Sequence, residues 1–238
     1  ALQLWTDISN FCGGDLSRGP EEFGTDILIL MDGLDLAQIR AAVEDYYFPA
    51  IIDGELSVKF VELDKNVEFP KVRERQDLDQ FIRLMESARA GVEGASDTAK
   101  MHVFNKRSGH KIGQYAFEAA EPDEAKSEKS NCVAIMRGTG MIIDYVKLGS
   151  DRFESAVGVF IANDDIFPYL VASENAAHSE WNENSWRLKN VYPEYGQQIV
   201  SHLNSVLSSH FQDFQKGLQP DVSQTRSESG LLAKLLAN

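Results

Sequence analysis

The chain predicts an α+β fold built on a mixed, mainly antiparallel sheet of about six to seven strands. Apolar segments of strand length crowd between residues 100 and 162. Segments with helical apolar spacing, at 35–52, 77–89 and 193–215, lie to either side of them. Strands and helices are thus partly segregated rather than alternating, which favours α+β over a doubly wound sheet. The expected organisation is an N-terminal loop segment at 1–24, a single domain at 25–217, and a linker with a short C-terminal helix at 218–238.

Residues 9–24 (SNFCGGDLSRGPEEFG) carry the Gly, Pro and Ser of a loop. Ile27 to Leu30 form an unbroken apolar run, as in a strand buried on both faces. Asp35 with Gln38 three residues on marks a helix start, and Leu36, Ile39, Val43, Tyr46 and Ala50 supply one apolar face. Pro49 is expected to kink or end this helix. Leu56, Val58 and Phe60 then alternate with Glu55, Ser57 and Lys59, predicting a half-wet strand.

Asp77 and Gln80 repeat the capping spacing before Leu78, Phe81, Ile82 and Met85, predicting a second helix. Strands are expected at 100–104 and 112–118, followed by an exposed acidic loop from Glu118 to Asn131. NCVAIMR and MIIDYVKL flank Gly138-Thr139-Gly140, a hairpin signature. A further strand runs over about 154–162, and Asp164-Asp165 is read as the cap of a short helix through Leu170. Residues 173–192 show no regular period. Pro193 is read as opening a long helix whose stripe is Ile199, Leu203, Val206, His210 and Phe214.

A net charge of -14 over 238 residues disfavours general binding of phosphate backbones. Two cysteines, Cys12 and Cys132, with no C-x-x-C, fit a reducing cytoplasm and buried thiols. No apolar run approaches the ~20 residues that span a bilayer, so no membrane partner is expected. The opening ALQLWTD has neither initiator Met nor signal-peptide pattern, which predicts an internal stretch of a longer protein.

Chemistry-bearing patterns are sparse. Gly138-Thr139-Gly140 leads into a strand, not a helix N-terminus, so it reads as a turn and not a phosphate loop. Glu124-Ala125-Lys126 sits in a charged loop without the separated acid that a metal-dependent nuclease needs. His102, His110, His178, His202 and His210 show no metal-ligand spacing. One asymmetry stands out. Between Thr98 and Phe117 there is no acid, while Lys100, Lys106, Arg107 and Lys111 give a local charge of +4. A strand-loop-strand turn of this kind suits contact with a phosphate or an acidic partner face.

The strand FGTDILIL, the helix ending YYFPAIIDG and the strand ELSVKF resemble a junction in GHKL-type ATPases, the superfamily of gyrase, MutL and MORC-like proteins. The resemblance is to large bacterial members, some associated with phage defence. It extends through CVAIMR, MIIDY and the run GVFIANDD…ASENAAHSEWN. It implies that this chain is the transducer-like region following a nucleotide-binding domain. The family's Asn-bearing helix, Asp-x-Gly turn and glycine lid have no counterpart here, so no ATP-binding residue carries over. ATP and Mg²⁺ would then belong to an upstream domain of the same polypeptide, the expected partner, with homodimerisation possible. Lys100, Lys106 and Lys111 lie where a transducer's phosphate-contacting lysine loop would fall.

The leading expectation is a non-catalytic regulatory module with no cofactor of its own. Two others stand beside it. One is a metal-dependent hydrolase or nuclease whose Asp144, Glu154, Asp164, Asp165, Glu174 and His178 converge on a pocket. The other is a scaffold with an apolar patch at LLAKLLAN or along Tyr46-Tyr47-Phe48.

Overall fold

A computed structural model describes residues 33, 35–61, 66–90, 100–103, 109–121, 127–138 and 140–219. Its elements run α1 (Leu36–Ile52), β1 (Phe60–Val61), β2 (Val67–Glu68), a 3₁₀ turn (Val72–Glu74), α2 (Gln76–Ala90), β3 (Lys100–Val103), β4 (Lys111–Ala119), β5 (Cys132–Met136), β6 (Ile142–Lys147) and β7 (Ala156–Ala162). After β7 come a 3₁₀ turn (Asp164–Ile166), α3 (Phe167–Ser173), α4 (Trp186–Val191) and α5 (Gly196–Gly217). The fold is α+β. The apolar run at 27–30 and the segment 220–238 lie outside the described residues.

Among the described residues the central sheet has five strands in the order β3-β4-β7-β5-β6, fewer than the six to seven expected. Every neighbouring pair is antiparallel except β5–β7, which is parallel. The shortfall is at residues 55–61. Glu55 and Leu56 both donate their N–H to Ala50 O, wrapping the chain round the end of α1 instead of extending it. Only Phe60–Val61 becomes strand, paired with Val67–Glu68 in a separate ribbon.

Alternation along β5 and β7 feeds two apolar layers. On β7, Ala156, Phe160 and Ala162 face one side, and Val157 and Val159 the other. The first side packs against α3, α4 and α5 through Leu170, Leu188, Ile199, Leu203 and Phe211. The second packs against α1 and α2 through Phe48, Leu78, Phe81, Ile82 and Met85. Phe117 on β4 lies opposite Gly158 on β7, and a Cβ on Gly158 would come within 2.6 Å of the Phe117 ring. Glycine there makes room for the aromatic side chain. Full burial of such a ring contributes about 2–3 kcal/mol.

The helices keep their predicted places with shifted faces. Asp35 caps α1, accepting from the N–H of Ala37 and Gln38. Of the predicted stripe Leu36, Ile39, Val43, Tyr46 and Ala50 only Ala50 is buried; the other buried positions of α1 are Glu44, Phe48 and Pro49. A carboxylate at the centre of the buried face hides that face from apolar periodicity. Pro49 lies inside α1, which continues to Ile52. Asp77 and Gln80 are tertiary ligands rather than a cap: Gln80 is buried and reaches Glu118 and the Ala119 carbonyl. Asn163, not Asp164 or Asp165, caps the turn after β7. Ser185 caps α4 inside the stretch read as irregular, and α5 begins at Gly196, three residues after Pro193. No described helix is long and apolar enough to cross a membrane.

Candidate functional site

The predicted basic turn is only partly in view. Lys100 opens β3 opposite Tyr115, whereas Lys111 opens β4 opposite Val103. Three residues of strand thus separate the two backbones, roughly 10 Å. Lys106 and Arg107 lie outside the described residues. Lys111 is exposed and its backbone N–H donates to Asp165 Oδ2 at 3.2 Å. His110 packs its ring edge on Tyr169 at 5.6 Å, with Nε2 3.3 Å from the hydroxyl. Its buried Nδ1 has no hydrogen-bond partner among the described residues.

A tighter constellation forms at the end of the parallel pair. Because β5 and β7 run the same way, Arg137 leaves the sheet beside Asn163 and Asp164. The approach is close: a Cβ on Gly138 would meet Asp164 Oδ1 at 2.9 Å. Beyond α3 the chain returns through a β-bridge between Glu174 and Trp181. The Glu174 side chain is 1% exposed, and three donors surround its carboxylate. His178 Nδ1 lies 2.6 Å from Oε2, Arg137 Nη1 3.3 Å from Oε2, and Trp181 Nε1 3.3 Å from Oε1. A carboxylate removed from water requires such compensation.

The rest of this group is set by its surroundings. Arg137 lies 6.0 Å from the Phe167 ring centroid and gives Nη2 to Met141 Sδ at 3.2 Å, while its buried Nε has no acceptor among the described residues. His178 sits at φ 53, a left-handed conformation uncommon for residues with a side chain. Its imidazole is exposed, with Nδ1 bound to Glu174. That polarity directs the Nε2 lone pair outward, where it can accept a proton or a ligand. The i,i+4 spacing of Glu174 and His178 was visible in sequence; Arg137, 37 positions upstream, carried no signal there.

A second polar network clamps α1. Arg75 donates to Asp77 at 2.7 and 2.6 Å, to Asp45 at 2.8 Å and to Glu44 at 3.0 Å. Buried Glu44 also accepts the Lys71 N–H at 2.7 Å. Lys129 reaches Asp45 at 2.9 Å and Asp77 at 3.2 Å, and stands 4.9 Å over the Tyr145 ring. The Arg75 hydrogen bonds hold the Asp77 carboxyl down at about 2, against the opposing pull of burial. Burial pushes the Tyr145 hydroxyl well above its ordinary value. Tyr145 Oη donates to Asp45 O at 2.8 Å, and Ala50 N–H donates to Gly140 O at 3.2 Å. Helix α1 is therefore fastened to β6, to the β5–β6 turn and to the start of α2.

The remaining acids do not gather at one point. Asp165 holds Lys111, and Asp164 lies by Gly138, where Arg137 and Glu174 also meet. Glu154 lies at the opposite end of β7, where Gln215 Nε2 meets its carbonyl at 3.1 Å. Asp144 borders a cavity of about 270 Å³ between the sheet and α5. Among the described residues no group of three or more His, Cys, Asp or Glu is placed to hold a metal ion. Tyr46 is 38% exposed, but Phe48 is fully buried in the α2-side core, so 46–48 forms no continuous apolar patch. LLAKLLAN lies outside the described residues. Cys132 is buried, and burial raises its thiol to about 11; Cys12 is outside the described residues.

Comparison with protein-family models, with curated proteins and with solved structures finds no match to this chain.

Proposed function

We propose that the chain is a non-catalytic, transducer-like regulatory module of a larger cytoplasmic GHKL-type ATPase, relaying nucleotide state through α1 into the central sheet. Its partner is the upstream nucleotide-binding domain of the same polypeptide, which would hold ATP and Mg²⁺. The observation that carries this reading is the clamp on α1. A helix that follows the nucleotide domain must move as one body with the sheet to relay a signal. The Glu44–Asp45–Arg75–Asp77–Lys129 network, with Tyr145 and Gly140, supplies that rigid coupling. The resemblance of the sequence at 23–61 supports the same placement. Lys106 and Lys111 are the residues proposed for the contact loop.

The test compares ATP turnover and ATP affinity in the longer polypeptide with and without Tyr145→Phe and Lys106→Ala/Lys111→Ala. The expected outcome is a severalfold loss of turnover for Tyr145→Phe with ATP affinity retained, and a loss of both for the lysine pair. Unchanged turnover and affinity in both variants would remove the proposal. So would ATP hydrolysis by the isolated chain at the rate of the longer protein.

A second reading, a hydrolase, draws on the Glu174–His178 pair, whose carboxylate-oriented imidazole has the geometry of a general base. Screening the chain against ester and phosphodiester substrates, with His178→Ala as control, tests it. Activity unaffected by that change would discard this pair as its source.

A further inference from the structure

The cavity of about 270 Å³ between β5–β6 and α5 combines an apolar floor with an acidic wall. Its floor is apolar, with Ile135 and Val146 from the sheet and Leu203 and Leu207 from α5. Trp181 closes one side. Two carboxylates, Asp144 and Glu180, line it, and no Lys or Arg does.

Asp144 faces this cavity by ordinary strand alternation with Val146 and Leu148, which line it too. The β5–β6 register runs Ala134↔Tyr145 and Ile135↔Asp144, then jumps to Met136↔Ile142, leaving Ile143 as the extra residue. A bulge of this kind breaks alternation and re-aims side chains. The bulge turns Ile143 into the α5-side core, so that it joins the face Asp144 already shares with its partner Ile135. Its Oδ1 accepts its neighbour Tyr145 N–H at 2.8 Å. Among the described residues no cation pairs with Asp144 or with Glu180.

We propose that this cavity is a binding site for a small organic cation: a primary or secondary ammonium carrying a short alkyl or aryl body. The apolar body fills the floor against Leu203 and Leu207, and the ammonium lies between Asp144 and Glu180. A neutral molecule of the same shape gains only the apolar part of this interaction. An anion meets two carboxylates and is repelled. The volume falls just below the usual range of about 300–1,000 Å³ for ligand pockets, which sets the size class. Occupancy is also sensed at the sheet end, because Trp181, which lines the site, gives its indole N–H to Glu174. The assignment is independent of the ATPase reading.

The test titrates hexylamine, 1-hexanol and hexanoate into the ¹⁵N-labelled full chain and follows the Trp181 indole cross-peak, assigned with Trp181→Phe. Hexylamine is expected to shift the peak saturably, 1-hexanol to bind at least about tenfold more weakly, and hexanoate to leave it unmoved. Asp144→Asn, which keeps the oxygen that accepts Tyr145 N–H, and exposed Glu180→Gln are each expected to weaken hexylamine about five- to tenfold. Preserved peak dispersion in both variants shows that the fold survives. Equal binding of the three probes, unchanged hexylamine affinity in both variants, or no saturable shift up to about 10 mM hexylamine overturns the assignment.

Discussion

The Tyr145 hydroxyl donates to the carbonyl oxygen of Asp45 at 2.8 Å, and that carbonyl is the one Pro49 leaves without a helical donor. In an unbroken α-helix the N–H of residue i bonds to the carbonyl of residue i−4. Proline has no N–H, so a proline inside a helix normally costs about 3 kcal/mol or more. Here a tyrosine from β6 replaces the missing donor, and a defect in α1 becomes an attachment to the sheet.

Tyr145→Phe tests this directly. It removes one hydroxyl and keeps the ring that packs on Tyr46 and Phe81. The expected loss is about 1–2 kcal/mol, read from urea unfolding. A second comparison sharpens it. Pro49→Ala restores a donor for Asp45 O, so Tyr145→Phe in that background should cost less. Equal costs in both backgrounds would show that the two residues are uncoupled.

Acid should loosen the clamp on α1. Asp77 titrates at about 2 in the folded chain against 3.8 for the unperturbed group, chiefly through its hydrogen bonds to Arg75. A depressed carboxyl contributes stability above its unfolded value, and loses it as pH falls through the folded one. The Asp77 contribution is therefore complete above about pH 4 and gone near about pH 2. The Asp77 side chain is 41% exposed, so solvent screening limits the effect to about 1 kcal/mol. Denaturant unfolding across that window should show a shallower acid slope for Asp77→Asn than for the parent. Parallel slopes would assign the shift elsewhere.

The far end of the sheet depends on two buried amides. Gln215, fully buried on α5, gives Nε2 to Asn131 Oδ1 at 2.8 Å and to Glu154 O at 3.1 Å, and accepts Ser150 N–H at 2.9 Å. Asn131 itself sits at φ 61. Gln215→Leu fills the space but leaves these groups unpaired, for an expected loss of about 2–4 kcal/mol. Amide exchange at Ser150 should accelerate more than exchange in α2. Uniform acceleration would mean a global loss without a local bracket.

Thiol chemistry offers a simpler check. With Cys12 replaced by Ser, the remaining thiol of Cys132 is buried and raised to about 11. It should resist a thiol-reactive dye at about pH 8 in the folded chain and react fully in denaturant. Fast labelling of the native protein would contradict the packing of β5.

Legibility in the sequence followed how local the determining interaction was. Helix α2 was read to within a residue because Leu78, Phe81, Ile82 and Met85 all enter one core. The β5–β6 hairpin was read because Gly140, at φ +73, marks its turn. The buried face of α1 was misread because its centre is Glu44, a charge made tolerable by Arg75 from 31 positions away. The stripe of α5 was placed about one residue off, since Val200, Leu207 and Phe211 carry the burial that Val206, His210 and Phe214 were expected to share. The candidate site was the least legible part. Arg137 and Glu174 meet only because β7 inserts beside β5, and no local pattern announces a parallel pairing.

That insertion also dictates an order of events. The hairpins β3–β4 and β5–β6 are each made from chain segments close in sequence, yet they touch only through β7, which follows both. Until residues 156–162 leave the ribosome, neither β4 nor β5 has the neighbour that covers its inner edge. The last strand to arrive is the one that closes the gap, and AVGVFIA is apolar from end to end. Unpaired edges of this kind recruit other chains. Newly made protein is therefore most vulnerable to aggregation in the interval before its central strand docks.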